Sequence, residues 1–322
     1  MQGPVFAVTN RLPAPAVELL RQAGEVRLDE RETAIPREDL LELVAGADAV
    51  LTLLHDRVDA ELLDAAGPQL RCVANVAVGY DNVDVAAAAA RGVVVTNTPE
   101  VLDDATADLT WALLLAATRR VAEGDRLVRS GREWSWGMSF MLGSSLRGKR
   151  LGIVGLGGIG RRVAERGRAF GMEIAYHSRR PAPTEVTAAL EAERMPLQRL
   201  LAESDVVSLH CPLTPETHHL IGARELEAMK ESAVLVNAAR GPIVDERARG
   251  EALAAGRIAA AALDVYEREP RVEPRLLELD NVVLAPHLGS ATVETRTAMA
   301  ELAARNAISV LRGQGPLTPV AS

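Results

Sequence analysis

The chain has 322 residues, a formal net charge of -8, 48% hydrophobic residues and 25% charged residues. This is an ordinary globular composition, long enough for two domains, and the acidic balance gives no reason to expect nucleic acid or an anionic membrane as a partner. Cys72 and Cys211 show no metal-ligand spacing. We therefore expect a cytoplasmic protein without a disulfide framework, a bound metal, a targeting segment or a membrane span.

The first hundred residues alternate short apolar runs with helical or turn segments, which predicts a parallel sheet with crossover helices. Glycines and prolines separate the segments. The predicted strands cover residues 5–8, 25–28, 49–53, 70–75 and 93–96, and the predicted helices cover residues 13–23, 36–44 and 86–90.

The middle of the chain carries a longer helical pattern, over residues 103–121, which predicts a helix that bridges two domains. Residues 130–148 follow without clear periodicity and contain Trp134, Trp136 and Phe140. We predict an extended loop there. Because aromatic residues are scarce in this chain, we expect these three in a contact with a second subunit, with a core position as the alternative.

From residue 150 onward the alternation of strands and helices continues, with about six predicted strands. That is the number in a complete dinucleotide-binding fold. One helix is predicted around residues 190–202, and a last long helix over residues 290–311 with Ser290 as its cap. The prediction is an α/β protein of two domains, each an open parallel sheet with helices on both faces. Residues 1–100 and 290–322 form the first domain, and residues 101–289 form the second.

The strand predicted at residues 151–154 runs into Gly155, Gly157 and Gly160, the G-x-G-x-x-G spacing. The first glycine permits a tight turn, the second lets the backbone approach a pyrophosphate, and the third lets the helix pack against the strand. The N–H groups of the helix N-terminus would face the anion. Alone, this pattern is also compatible with a simple chain turn.

The next strand ends in Ser178, Arg179 and Arg180 and has no acidic residue to bind the ribose hydroxyls. A serine hydroxyl and two guanidinium groups suit a 2′-phosphate, so NADP(H) is the predicted cofactor and NAD remains possible. Ordinary surface arginines are the alternative.

Three residues follow later predicted strands: Arg240, Glu269 and His287. Ligands bind at the carboxyl ends of parallel strands. A carboxylate beside an imidazole makes a proton donor for a forming alkoxide, and a guanidinium binds a carboxylate and polarises a carbonyl. Together with a hydride-carrying cofactor, this set predicts a carbonyl reductase.

Six ordered motifs resemble the D-isomer-specific 2-hydroxyacid dehydrogenases, closest to the glyoxylate and hydroxypyruvate reductase branch, over nearly the whole chain. They are VGYDNVD at residues 78–84, NTP at 97–99 with DATAD at 104–108, GLGGIG at 155–160, HCPLTPET at 210–217, NAARG at 237–241 and PHLGS at 286–290.

The resemblance implies that Arg240, Glu269 and His287 are catalytic and that the first domain, flavodoxin-like, binds the substrate. Backbone N–H groups of Val78 and Gly79 would hold the substrate carboxylate, beside Leu54. Around the cofactor we expect the three glycines of the turn, Ser178, Arg179 and Arg180, and the catalytic residues Arg240 and His287. Ten further residues complete the set: Thr106, Gly158, Ile159, Cys211, Pro212, Thr217, Ala238, Ala239, Asp264 and Gly289.

The predicted reaction is NADPH-preferring reduction of a small 2-keto acid, glyoxylate or hydroxypyruvate, to the D-2-hydroxy acid by a homodimer. Gly158 stands where many members carry arginine, which leaves Arg161 or Arg162 as substitutes for a phosphate contact. Arg249 and Gly250 are expected to interrupt the helix that begins near Asp245. The alternatives are a D-3-phosphoglycerate dehydrogenase-like enzyme, although the chain ends too soon for the usual regulatory domain, and a nucleotide-sensing binding protein.

Overall fold

The computed structural model describes residues 3–320, and two compact units divide the chain. One unit comprises the residues up to Leu102 together with those from Ser290 onward, and the other comprises Asp103–Gly289. The extreme ends of the first predicted domain, residues 1–2 and 321–322, lie outside the described residues.

The first unit is a five-stranded parallel sheet in the order β2-β1-β3-β4-β5. This is the flavodoxin-like order of a doubly wound fold. Its elements are β1 Val5–Val8, α1 Ala14–Ala23, β2 Glu25–Leu28, α2 Arg37–Val44, β3 Ala49–Thr52, α3 Ala60–Ala66, β4 Cys72–Asn75, α4 Val85–Ala90, β5 Val94–Thr96 and, far along the chain, α13 Val293–Leu311.

The last helix completes the first unit by packing on α1, β3 and β4. The guanidinium of Arg71, next to β4, donates to the carbonyls of Val310 and Leu311 at 2.8 and 2.9 Å, at the carboxyl end of α13. Thr292, not the predicted Ser290, caps this helix, because the Thr292 hydroxyl accepts the N–H of Thr295 at 3.1 Å.

The second unit is a seven-stranded sheet in the order β12-β11-β10-β9-β6-β7-β8, parallel throughout. The order reverses between β6 and β9, which is where such folds bind dinucleotides. Its elements are α5 Asp103–Thr118, α6 Val121–Arg129, β6 Arg150–Val154, α7 Gly158–Ala169, β7 Glu173–His177, α8 Thr184–Leu190, β8 Glu193–Arg194, α9 Leu197–Glu203, β9 Val206–Leu209, α10 Ala223–Ala228, β10 Val234–Asn237, α11 Glu246–Ala254, β11 Ala260–Leu263, α12 Pro274–Leu277 and β12 Val282–Leu284.

Both faces of this sheet are covered, so its strands are apolar on both sides. Helices α5 and α7 cover one face, where the indole N–H of Trp111 donates to the carbonyl of Val163 at 3.0 Å. Helix α9 covers the other face, and α10 packs on α9 and α11. The α/β fold class predicted from the sequence is confirmed.

Three predicted elements differ from the structure. The helix predicted over residues 103–121 ends at Thr118, since Arg120 is left-handed (φ 54°), and it packs on α7 and β10–β12 of the second unit. The helix predicted around residues 190–202 begins only at Leu197, because Glu191 is left-handed and β8, a seventh strand, precedes Pro196. Helix α11 runs uninterrupted through Arg249 and Gly250, capped by Asp245.

Candidate active site

The glycine turn after β6 leaves no room for side chains at its first and third positions. Gly155 has φ 98°, and a Cβ there would lie 2.6 Å from the backbone N of Cys211. A Cβ on Gly160 would lie 2.1 Å from the carbonyl oxygen of Gly155. Both contacts are shorter than real Cβ atoms allow, so glycine is required for the turn to close and for α7 to approach β6.

The second glycine is different, because Gly157 caps α7 and a Cβ built on it would meet no atom within 4 Å. The first turn of α7 carries no acidic residue, and N–H groups at a helix N-terminus have no partner within the helix itself. Gly158 has Asp103 beside it, with a carboxylate oxygen 2.1 Å from the point that a Cβ would occupy, and half-buried Ile159 packs on the core. These residues fit the pyrophosphate of a dinucleotide.

Arg161 and Arg162 differ in their partners. Arg162 pairs with Glu165 at 3.0 Å and with Asp104 at 3.6 Å. Within residues 3–320 Arg161 makes no ion pair, and its Nε is a buried donor without a hydrogen-bond partner. Of the two substitutes predicted for a phosphate contact, Arg161 is therefore the one with free donor capacity.

The loop after β7 carries the predicted phosphate-binding residues on the surface. The Ser178 hydroxyl donates to the carbonyl of Arg180 at 2.5 Å. Arg194, on β8, donates to the carbonyls of Ser178 and Arg179 at 3.0 and 3.2 Å and so fixes the loop backbone. No carboxylate in residues 3–320 forms an ion pair with Arg179 or Arg180. The pKa of Glu216 is lowered first by a hydrogen bond from Thr214 and also by the charge of Arg179, so this carboxylate lies in the surroundings of Arg179.

The loop after β9 lies against the glycine turn and is closed by Thr217, whose hydroxyl donates to the carbonyl of Pro212 at 2.7 Å and accepts the N–H of Thr214 at 2.8 Å. Burial raises the pKa of the Cys211 thiol to about 11, so it stays neutral. Burial lowers the pKa of His210 to about 3, and its Nε2 lies 2.8 Å from the Ser208 hydroxyl. These residues shape the loop and carry no charge at neutral pH.

Arg240, Glu269 and His287 follow three neighbouring strands, β10, β11 and β12, at the same edge of the sheet. The imidazole Nδ1 of His287 lies 2.8 Å from Oε2 of Glu269. His287 is left-handed (φ 56°), and its own N–H donates to the carbonyl of Asp264 at 2.8 Å. Such strain in a non-glycine residue is typical of functional sites.

Glu269 is held at both carboxylate oxygens. Oε1 accepts the N–H of Tyr266 at 3.0 Å, and Oε2 contacts His287. Burial alone would raise the pKa of Glu269, but the hydrogen bond and charge of His287 outweigh it, with help from Arg240, and lower the pKa below its usual value. Glu269 is therefore a carboxylate at neutral pH and can hold the imidazole in one orientation.

Asp264 fixes the turn that carries His287. It is 1% exposed, and its two oxygens accept the N–H groups of Leu288 and Gly289 at 2.7 and 2.8 Å. Its pKa is raised, because the cost of burial exceeds the effect of those bonds. Buried Thr106 lies beside this turn, with its methyl carbon 3.2 Å from a Cβ built on Gly289.

Arg240 stands at the end of a turn that is organised by Asn237. The Asn237 side chain donates to the carbonyl of Arg240 at 2.9 Å and accepts the N–H of Ala239 at 3.1 Å, with Ala238 between them. A Cβ on Gly241 would lie 1.9 Å from the backbone of Tyr266. The turn of Arg240 is thus packed directly against the start of the loop that carries Glu269.

In the first unit, three asparagines hold the loop that contains Val78 and Gly79. Asn97 donates to the carbonyl of Val78 at 2.8 Å, and Asn75 donates to the carbonyl of Gly79 at 2.9 Å. Asn82 donates to the carbonyl of Leu53, next to Leu54, at 3.0 Å. Sequence reasoning did not assign these asparagines a role, although buried amides at strand ends were a usable signal.

Across residues 3–320, no group of three or more His, Cys, Asp or Glu side chains could hold a metal ion. His218 and His219 stack with ring centroids 4.1 Å apart, and His219 lies 3.3 Å from Glu267. Helices long and apolar enough to cross a membrane are absent from this same part of the chain.

Comparison with known proteins identifies the family. Residues 111–289 match the model of the D-isomer specific 2-hydroxyacid dehydrogenase NAD binding domain. A glyoxylate reductase from Thermococcus gammatolerans is 51% identical over 99% of this chain and 96% of its own length, and one from Aeropyrum pernix is 51% identical over 98% and 95%.

Among solved structures, an NADPH-dependent glyoxylate/hydroxypyruvate reductase from Sinorhizobium meliloti, in complex with NADP and malonate, has a TM-score of 0.87 and 37% identity, covering 99% of this chain and 97% of its own. The chain therefore belongs to the D-isomer-specific 2-hydroxyacid dehydrogenase family, in its glyoxylate reductase branch, and is an NAD(P)-dependent dehydrogenase.

Proposed function

We propose that this enzyme reduces small 2-keto acids, glyoxylate and hydroxypyruvate, to 2-hydroxy acids, with the D-isomer formed from hydroxypyruvate, and prefers NADPH. The observation that carries the proposal is the 2.8 Å contact between Nδ1 of His287 and Oε2 of Glu269. The relatives with about half of their residues identical are glyoxylate reductases, and a structural neighbour is an NADPH-dependent glyoxylate/hydroxypyruvate reductase.

In this reaction His287 is the proton donor. Glu269 contacts Nδ1 of the His287 imidazole, so Nε2 is the ring nitrogen that delivers a proton to the carbonyl oxygen of the substrate. The proton is transferred as that oxygen becomes an alkoxide. A dinucleotide held at the glycine turn would supply the hydride for the carbonyl carbon. One hydride and one proton convert the carbonyl group to the alcohol, and Glu269 keeps its charge throughout.

Arg240 is proposed to bind the substrate carboxylate and to polarise the carbonyl, as a guanidinium does with two parallel donors. The backbone N–H groups of Val78 and Gly79 are proposed to bind the substrate carboxylate, with Leu54 contacting the substrate. Neither N–H donates a hydrogen bond within residues 3–320, whereas both carbonyls accept asparagine side chains. The loop therefore presents free donors with a fixed backbone.

For the cofactor, we propose that Gly155, Gly157, Gly158, Ile159 and Gly160 bind the pyrophosphate. Arg161 adds a charge through its free buried Nε. Ser178, Arg179 and Arg180 are proposed to bind the 2′-phosphate, since neither guanidinium group forms an ion pair within residues 3–320. The remaining contacts are assigned to Thr106, Cys211, Pro212, Thr217, Ala238, Ala239, Asp264 and Gly289.

A homodimer is proposed on the basis of one apolar surface. Trp134 stacks on Phe140, with ring centroids 6.0 Å apart, while Trp136 and Met138 are 77% and 82% exposed. The neighbouring helix α6 has no buried residue. Exposed aromatic and apolar side chains concentrated in one short loop are typical of a protein interface.

The test of the function is a panel of 2-keto acids, assayed with NADPH and with NADH, with the chirality of the product determined. We expect the highest kcat/KM for glyoxylate and hydroxypyruvate with NADPH, and the D-isomer from hydroxypyruvate. Preference for 3-phosphohydroxypyruvate would favour a D-3-phosphoglycerate dehydrogenase-like enzyme. Cofactor binding without turnover of any keto acid would contradict the proposal.

A further inference from the structure

The loop that carries Glu269 is held from one side by a buried carboxylate, that of Glu246 at the start of α11. Glu246 is 6% exposed. Its Oε2 accepts the N–H of Glu267 at 2.6 Å, and its Oε1 accepts the N–H of Glu273 at 2.8 Å. These two amides lie on either side of Glu269 in the chain, so one side chain ties both ends of the loop to one helix.

The amino end of the loop has a second attachment to the same helix. The Glu246 N–H lies 3.3 Å from Oε2 of Glu267 and donates to it, and the other oxygen of Glu267 lies 3.3 Å from the ring of His219. The contact between Glu246 and Glu267 is thus reciprocal. Since α11 is capped and packed on α10 and α12, it offers a rigid support.

The guanidinium of Arg249 lies beside the carboxylate of Glu246 in the protein interior. It is 0% exposed, and its Nη2 lies 3.9 Å from Oε1 of Glu246. Burial lowers the pKa of Arg249 to about 10, although Glu246 opposes the shift, so the guanidinium is still charged at neutral pH. The charged guanidinium therefore stands beside the Glu246 side chain that accepts both amide hydrogens.

The loop geometry decides where the carboxylate of Glu269 lies. Its Oε1 accepts the N–H of Tyr266, at the beginning of the loop, and its Oε2 must reach His287 on the turn after β12. A shift of the loop by a fraction of an ångström lengthens the contact with His287. Reactions of this kind lose rate steeply when a catalytic group is displaced.

We propose that Glu246 is a positioning residue for catalysis: by binding the amides of Glu267 and Glu273 it fixes the loop in which Glu269 contacts His287. This inference rests on the proposed function of Glu269 and His287. In this proposal Glu246, a buried residue of α11, affects catalysis through the position of Glu269.

The first variant to test is Glu246→Gln, which keeps the shape of the side chain but replaces one acceptor oxygen with an NH₂ group. We expect kcat for glyoxylate to fall about 10-fold, with KM for NADPH changed less than two-fold. The matched control is Glu251→Gln on the same helix, where the exposed carboxylate pairs with Arg247 at 3.1 Å and forms no other ion pair within residues 3–320. The control should keep the activity of the unmodified enzyme.

A double-mutant cycle separates positioning from general stability. In a Glu269→Gln background, Glu246→Gln should lower kcat less than two-fold, because the group that it positions is already gone. Equal losses in both backgrounds, or no loss with Glu269 intact, would overturn the inference. If the unmodified enzyme reduces no keto acid, or Glu269→Gln is fully active, the proposed function fails instead.

Hydrogen exchange of the unmodified enzyme provides a measurement that needs no variant. The amides of Glu267 and Glu273 should exchange together and much more slowly than that of Arg268, which lies between them in the loop. Exchange of both amides at the rate of an unprotected loop would overturn the inference, whether or not the variants fold.

Discussion

His287 and Glu269 are joined by a 2.8 Å contact between Nδ1 and Oε2, across the ends of the adjacent strands β12 and β11. The left-handed backbone of His287 and the buried carboxylate of Asp264 fix one side of this pair. The loop tied to Glu246 fixes the other side. The proposed proton donor is therefore oriented by groups on three separate segments of the chain.

Removal of either partner should affect chemistry more than binding. We expect His287→Gln to lower kcat for glyoxylate by a factor of about 10² to 10⁴, and Glu269→Gln by about 10 to 10², because the first removes the proton donor and the second only its orientation. Steady-state kinetics at saturating NADPH measure this. A His287→Gln enzyme with most of its turnover would refute the assigned role.

The choice of cofactor should depend on Arg179. Arg179→Ala is expected to lower kcat/KM with NADPH by about 10-fold to 100-fold and to leave the value with NADH nearly unchanged, since a charge-assisted contact is worth about 1.5–3 kcal/mol. Arg199→Ala is the control, because Arg199 pairs with Glu193 and Glu203 at the surface. Equal losses with both cofactors would argue against 2′-phosphate binding.

Two glycines of the turn should respond differently to alanine. Gly157→Ala has room for its methyl group, so we expect a nearly unchanged Tm but much weaker NADPH binding, because the methyl occupies the phosphate approach. Gly160→Ala would place its Cβ 2.1 Å from the Gly155 carbonyl oxygen, and we expect it to lose about 1–3 kcal/mol of stability as well as binding. Thermal unfolding and NADPH fluorescence titration distinguish the two; identical behaviour would contradict the geometry.

His210 should make the enzyme less stable in acid. Its folded pKa is lowered by burial from 6.5 to about 3, so between these values the unfolded chain binds a proton that the folded chain does not. As the pH falls from 6.5 to 5, the folded state should lose about 1–2 kcal/mol through this residue. Urea unfolding of the unmodified enzyme and of His210→Asn at both pH values tests this, and a similar pH dependence for both proteins would show that the histidine is not responsible.

The loop that carries Trp134, Trp136 and Phe140 should control the oligomeric state. We expect the unmodified protein to have twice the 34.4 kDa mass of the chain by light scattering, and Trp136→Glu combined with Met138→Glu to shift it toward the single-chain mass, because buried charges weaken an apolar interface. An unmodified protein that is already monomeric, or a double variant that stays dimeric, would remove this surface from the interface.

Local sequence signals were sufficient to predict the elements that are long, strongly apolar or followed by a glycine-rich turn. The strand β6 and its turn are continuous in sequence, so their spacing alone predicts them. The edge strand β8 has two residues, both exposed, and no hydrophobic pattern distinguishes it from a helix. Likewise, the left-handed Glu191 and Arg120 end helices at residues that have no intrinsic signal for doing so.

By itself, the sequence determined the α/β class, the family and the residue types at the strand ends, because these depend on local periodicity and on ordered motifs. Only the tertiary structure decided three contacts. His287 contacts Glu269, Asp264 accepts an N–H from the turn after His287, and Glu246 accepts amide hydrogens at both ends of the Glu269 loop. Those contacts join segments distant in the chain, and their formation depends on the order of β10, β11 and β12 in the sheet. The strand order brought Arg240, Glu269 and His287 to the same edge of the sheet.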